Sequence, residues 1–450
     1  MIAGRVITFG TLFEKLWNLL SSRQAMALYF LILFACITAM VIAVLVMISI
    51  GNGDQKGSKK NGTAPKKPVA PVKDVTKSAF MQLADDEEDI TSRFHTLVQL
   101  DRASERYVAP KYDDTLTLAD ICRNFRNFAA NERGLFYCEE DVRKFIAGLG
   151  VAKICVMQGL SGTGKTSMAT AFGDYLANPS TVISVQPMWK ERSDMVGYFN
   201  EFTKRFSEGT ILKKLYEARY TDEIYVIVLD EMNIARVEYY FADFLSQMEL
   251  NPSSRYLEVV SDTWDDDPKL LERGMLRIPE NVWFIGTANN DDSTFAISDK
   301  VYDRAMVMNL DRKAEIFTPD PAESDRLSYT HFSELITAAK RENQLSQETQ
   351  EKIRKVDEFL TERFRITYGN RIRRQMEEYI PLYIACGGSE IAAVDDLLAK
   401  KVLRKLDSLS PVMIRYSIDD LKNVFESTFG LDAMPSCKES LERLRRNASA

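Results

Sequence analysis

The stretch Gly159–Thr166 reads GLSGTGKT and fits the phosphate-binding pattern G-x-x-x-x-G-K-[ST]. Its glycines, Gly159, Gly162 and Gly164, let the backbone turn so that successive N–H groups converge on phosphate oxygens. Lys165 supplies a point charge for the β- and γ-phosphates, and the Thr166 hydroxyl is a ligand for Mg²⁺. Working outward, residues 153–158 (KICVMQ) form an apolar run suited to a buried parallel strand, and residues 167–176 (SMATAFGDYL) are helix-competent. Strand, loop and helix in that order are the context the pattern requires. The expected triphosphate cradle is therefore Gly159, Leu160, Ser161, Gly162, Thr163, Gly164, Lys165 and Thr166, with Ser167 opening the helix, whose dipole adds to it.

Further along, residues 224–231 (IYVIVLDE) form an apolar strand ending in two acids. Such a strand carries Asp230 to the edge of a sheet, where it holds Mg²⁺ through water, and places Glu231 to activate an attacking water. The competing reading of Asp230 is a helix cap. Residues 281–290 (NVWFIGTANN) are another apolar strand, ending in amides that can position water near a γ-phosphate. Asp303-Arg304 falls at a helix-to-strand junction, where Arg304 is either a transition-state arginine or a surface ion pair.

The order GLSGTGKT, LDEMNIARVEYYFADFLSQME, FIGTANNDDSTFAISDKVYDRA, with VQPMWKERSDMVGYFN between the first two, resembles the AAA+ ATPases of the McrB-like, dynein-related group over residues 116–435. The resemblance implies an α/β fold: a P-loop AAA+ core with a five-stranded parallel sheet and an all-helical C-terminal lid. It also implies a ring of identical subunits, usually a hexamer. By resemblance Asn289 matches the sensor-1 asparagine, Arg304 the arginine finger, and Arg371 within TYGNRIRRQMEEYI the sensor-2 region. ATP with Mg²⁺ is the expected cofactor, with GTP as the alternative. The aromatic stretch 197–211 corresponds to an insert that can face a ring's pore, or else packs internally.

The 450 residues are enough for two or three units, with 45% hydrophobic and 27% charged residues. Six scattered cysteines without a C-x-x-C pair, and only two histidines, exclude a disulfide framework and a zinc site. Net charge is −7; residues 1–73 hold nine Lys/Arg and two Asp/Glu, or +7, so the remainder carries −14. That acidity gives no general support for nucleic-acid binding.

Residues 25–50 contain no charged residue and are long enough to cross a bilayer. Lys56, Lys59, Lys60, Lys66 and Lys67 follow. The expectation is a single-pass N-terminal transmembrane helix in the cell membrane, with the nucleotide domain cytoplasmic and residues 1–24 outside. Residues 51–75 read as a flexible basic tether and 76–115 as a helical stalk or connector. Residues 116–318 read as the nucleotide-binding domain and 319–450 as the helical lid. The functional expectation is a membrane-anchored Mg-ATPase, working at subunit interfaces to remodel an unnamed protein partner. The alternatives are a nucleotide-gated membrane scaffold with little turnover, or the motor subunit of a nucleic-acid-targeting defence complex.

Overall fold

Three near-continuous apolar runs, ICVMQG, YVIVLD and VWFIGTAN, form the middle of a parallel sheet because both of their faces are covered. The computed structural model describes Phe80 and residues 91–289, 294–311 and 314–449. The sheet strands are β1 (Ile154–Gly159), β2 (Thr181–Ser184), β3 (Tyr225–Asp230), β4 (Val282–Asn289) and β5 (Met306–Asn309), in the order β5-β1-β4-β3-β2. All neighbours run parallel, as expected of a sheet resembling a P-loop NTPase core.

Register sets what meets at the sheet's C-terminal edge. Gly159 of β1 lies opposite Asn289 of β4, and Leu229 of β3 lies opposite Gly286 of β4. The residues one step on, Asp230 and Thr287, therefore face each other beside the loop that follows β1. β4 lies between the loop strand and the acid strand.

Alternation along the strands divides the core into two layers. Cys155, Met157, Val226, Val228, Trp283 and Ile285 point to one side. There they meet helices α2 (Leu118–Arg133), α3 (Glu139–Val151) and α4 (Lys165–Tyr175), along with the C-terminal helices. Ile154, Val156, Ile227, Leu229 and Phe284 point to the other, against α1 (His95–Ser104) and α5 (Thr210–Ala218). Residues 95–104, read from sequence as stalk or connector, thus bury Leu97 and Leu100 in this second layer. Asp101 receives the hydroxyls of Tyr216 and Tyr220.

A two-stranded hairpin pairs Gly197–Asn200 with Arg205–Glu208, and a three-stranded antiparallel sheet forms from Tyr256–Glu258, Leu271–Glu272 and Met275–Arg277. Phe206 of the hairpin is buried, whereas Tyr198 and Phe202 are exposed.

From Tyr329 the chain is all-helical: α6 (Tyr329–Glu342), α7 (Gln347–Phe364), α8 (Asn370–Ala385), α9 (Glu390–Leu397), α10 (Pro411–Phe429) and α11 (Pro435–Ser449). Ser328, Ser346, Ser389 and Ser410 cap α6, α7, α9 and α10 by accepting an N–H from three residues on. After α9 the helix widens to a π turn at Leu398–Val402 and tightens again at Leu403–Ser408.

The expected transmembrane helix is corrected. Among the described residues no helix is long and apolar enough to cross a membrane. The 19-residue α10, for instance, carries Arg415, Asp419, Asp420, Lys422 and Glu426, which hydrocarbon would not accept. The stretch 25–50 itself lies outside the described residues, as do residues 1–24 and the tether 51–75. The fold described is a five-stranded parallel sheet with flanking helices and an all-helical C-terminal region. The single-pass membrane topology, the membrane as partner and the cell-membrane location are all withdrawn from the reading.

Candidate functional site

The loop after β1 is shaped by its glycines. Gly159 has φ +145°, and a β-carbon on it would meet the Leu310 carbonyl oxygen at 2.5 Å. Leu310 is tied there by donating its N–H to the Gln158 carbonyl at 2.8 Å. Gly162 and Gly164 also have positive φ, and Gly164 is the N-cap of α4. Behind Gly164 stands Tyr137, whose hydroxyl donates to the Gly164 carbonyl at 3.4 Å. Burial pushes the Tyr137 phenol above its ordinary range, so it stays a neutral donor.

Lys165, only 6% exposed, folds its ammonium back over the loop and donates to the carbonyls of Gly159 (3.0 Å) and Leu160 (2.7 Å). Leu160, Ser161 and Gly162 are exposed around this charge, and Thr163 donates to the Leu160 carbonyl at 2.9 Å. Thr166 and Ser167 are half-buried in the first turn of α4. The loop is therefore a backbone cradle with one ammonium held inside its curve and a helix N-terminus at its base.

The acid strand reaches this loop across β4. Thr166 donates its hydroxyl to Asp230 Oδ1 at 2.7 Å, and Thr287 donates to the same oxygen at 2.9 Å. Thr287 Oγ1 in turn accepts the N–H of Glu231 at 2.9 Å. Glu231 is in the left-handed region, φ +53°, with an exposed side chain. Asn233 follows, buried. Its amide donates to the carbonyls of Asn289 (2.9 Å) and Phe295 (3.2 Å). Its Oδ1 accepts the Asn289 N–H at 3.4 Å. Asn289, Glu231 and Asp230 are thereby held at one sheet edge with the loop.

Among the described residues no group of three or more His, Cys, Asp or Glu is arranged to hold a metal by itself. The Thr166 hydroxyl and Asp230 carboxylate are a hard-oxygen pair of the kind Mg²⁺ takes when phosphate oxygens and water complete its shell. The donor chemistry fits the expected ion.

Arg304 and Arg371 are brought together, but by a third residue. Arg304 Nη2 pairs with Glu249 Oε2 at 3.0 Å, and Arg304 Nη1 donates to the Lys300 carbonyl at 2.8 Å. Arg371 Nη2 pairs with the other oxygen, Glu249 Oε1. One carboxylate thus holds an arginine from the turn before β5 and one from the first turn of α8. That turn before β5 is also gripped by the C-terminal region: Gln375 donates to the Asp303 carbonyl at 3.0 Å, and Lys401 to the carbonyls of Tyr302 (2.5 Å) and Ala305. Burial draws the Lys401 ammonium down to about 7.

Thr287, Asn233, Tyr137, Glu249 and Lys401 are absent from the sequence-derived site. For Thr287 a signal existed: it is a hydroxyl two positions before Asn289 on an apolar strand, so it shares Asn289's face. For Glu249 and Lys401 the signal is tertiary only.

A family described as a domain of unknown function, DUF8727, matches residues 322–450, which hold the C-terminal helices. No curated protein matches the chain. Among solved structures, the chain is similar to the crystal structure of a "putative ATPase" from Cytophaga hutchinsonii. The two are 12% identical with a TM-score of 0.45, and the match covers 69% of this chain and 96% of that one. The McrB-like, dynein-related assignment drawn from motif order is corrected by these results. Neither the family of unknown function nor the putative ATPase carries that group's identity. What stands is a P-loop NTPase-like core with an all-helical C-terminal region. The hexameric ring and the protein-remodelling role came with the assignment and are withdrawn with it; a single chain shows no subunit interface.

Proposed function

We propose that the chain binds a nucleoside triphosphate at Gly159–Thr166 and hydrolyses it. The observation that carries this reading is the continuous hydrogen-bonded path Thr166–Asp230–Thr287–Glu231, which brings both acids of the 225–231 segment to the mouth of the loop. A structural turn or a helix cap would not need that path.

In this reading the loop N–H groups and Lys165 hold the triphosphate and take up charge that builds on the γ-phosphate oxygens. To do so, the Lys165 ammonium leaves the Gly159 and Leu160 carbonyls for phosphate oxygens. Thr166 and Asp230 would hold Mg²⁺, which would supply positive charge to offset the negative charge of the phosphates. Glu231 accepts a proton from the water that attacks the γ-phosphorus, the bond from that phosphorus to the β,γ-bridging oxygen breaks and the nucleoside diphosphate leaves; Asn289 orients the water. ATP is the first candidate substrate and GTP the second.

The experiment is turnover of ATP and GTP by purified protein, with and without magnesium, against Glu231→Gln. Magnesium-dependent phosphate release that falls by about 10²-fold or more in the variant supports the reading. Failure of the protein to take up either nucleotide overturns it.

The pairing of Arg304 and Arg371 with Glu249 favours a second reading: a nucleotide-dependent switch that binds tightly and turns over slowly while both guanidinium groups stay on that carboxylate. A burst of one turnover followed by slow release distinguishes it from steady hydrolysis.

A further inference from the structure

Glu231 is the residue the proposed chemistry most needs to aim, and it is in a backbone conformation that a side chain with a β-carbon rarely adopts, φ +53°. Something must hold it there; Tyr240 and Phe295 bond the residues that follow it, and the one side chain bonded to its own N–H comes from β4. The Glu231 N–H donates to Thr287 Oγ1 at 2.9 Å. An N–H is only a donor, so the Thr287 oxygen accepts it and the hydroxyl hydrogen is directed to Asp230 Oδ1, 2.9 Å away. One residue earlier, Gly286 leaves the space that Met232 fills; a methyl group there would meet Met232 Sδ at 2.0 Å. Two residues after Thr287, the Asn289 carbonyl receives the Asn233 amide. The turn 231–233 is thus seated on consecutive features of β4: a gap, a hydroxyl and a carbonyl.

From this geometry we infer that Thr287 is a positioning residue for triphosphate cleavage: its hydroxyl fixes the Glu231 backbone and orients Asp230 at once, so the proton acceptor and the metal-holding acid are set by a single group. Thr287 is 3% exposed, so water does not substitute freely for it. Removing the hydroxyl leaves the Glu231 N–H unpaired and takes one of two hydroxyl donors from Asp230 Oδ1. Glu231 then loses the bond that holds its left-handed conformation. Serine keeps the hydroxyl and loses only a methyl group. The inference rests on the proposed roles of Glu231 and Asp230, and goes beyond them in assigning a residue that touches neither substrate nor metal.

The test is a series of Thr287→Ser, Thr287→Val and Thr287→Ala in the full chain, each checked for its melting transition, with Glu231→Gln as reference. Magnesium-nucleotide affinity is measured with ATP separately from kcat. We expect Thr287→Val to lower kcat by about 30- to 100-fold while affinity changes by less than about threefold. Thr287→Ser should stay within about threefold of the parent. Added to Glu231→Gln, Thr287→Val should cost less than it does alone, since the part of its effect that runs through the Glu231 carboxylate is already lost. Thr287→Ala gives the same reading if the valine variant does not fold. Turnover by Thr287→Val or Thr287→Ala within threefold of the parent, with Glu231→Gln impaired, overturns the inference and spares the hydrolysis reading. A Glu231→Gln variant with full turnover removes both.

Discussion

Thr166 and Asp230 are separated by 64 positions in the chain and by 2.7 Å in the folded protein. Thr166 lies in the first turn of α4, just after the loop that follows β1, and Asp230 ends β3; β4 lies between β1 and β3 and contributes Thr287 to the same carboxylate oxygen. The contact joins the loop after β1 to the acid strand.

Thr166→Ala and Asp230→Asn should therefore weaken nucleotide binding mainly when magnesium is there. Titrating ATP in magnesium and again in chelator should show about a tenfold or greater loss in the first condition and little change in the second. Thr166→Ser should behave as the parent. Equal losses in both conditions would argue that the pair merely braces the loop.

Gly159→Ala should destabilise the protein by about 2 kcal/mol or more, because the new β-carbon would meet the Leu310 carbonyl at 2.5 Å and the backbone has φ +145°. Gly162 has nothing within 4 Å of a β-carbon. There alanine should cost less stability but still impair nucleotide binding, since φ is +79° and a side chain disfavours that turn of the loop. Denaturant midpoints for the two variants, beside ATP titrations, check the contrast.

Glu249→Gln should free Arg304 and Arg371 together. Both pairs are partly exposed, so the fold should lose less than about 1 kcal/mol. If that carboxylate restrains turnover, kcat rises by about threefold or more. An unchanged kcat with an unchanged melting temperature would leave the pair no part in the chemistry.

Lys401 gives a prediction in pH. Burial lowers its ammonium from 10.5 to about 7, so between those values the unfolded chain holds a proton that the folded chain has released. Stability therefore rises with pH across that window, by up to about 1.4 kcal/mol per unit from this one group. Of the groups facing it, Asp303 raises its pKa, whereas Arg404 and Lys400 lower it. Cys155, pushed up to about 12 by its own burial, stays protonated in the window. Denaturation curves at pH 7 and pH 9 should show a gain in the parent that shrinks in Lys401→Met. Equal gains would mean that the ammonium is hydrated.

The loop was legible because its chemistry is local: three glycines, a lysine and a threonine at fixed spacing, between an apolar run and a helix. The acid strand and the β4 strand were legible for the same reason, since buried parallel strands are continuous apolar runs with polar ends. The start of α10 was less so. It begins at Pro411, capped by Ser410. The membrane reading of 25–50 followed from hydropathy alone, and nothing in the described fold carries it. The narrow family assignment rested on motif order alone, and neither the family of unknown function nor the putative ATPase carries it.

The sequence by itself determined that a glycine-rich loop between strand and helix, an acid-ended strand and a helical C-terminal region are present, since each is written in contiguous residues and their periodicity. Only the tertiary structure decided that Thr287 joins Asp230 to Glu231, that Glu249 holds both arginines, and that Lys401 is buried against the turn before β5. Those are contacts between residues far apart in the chain, and the strand order and register that create them depend on packing of the whole core, which no local pattern encodes.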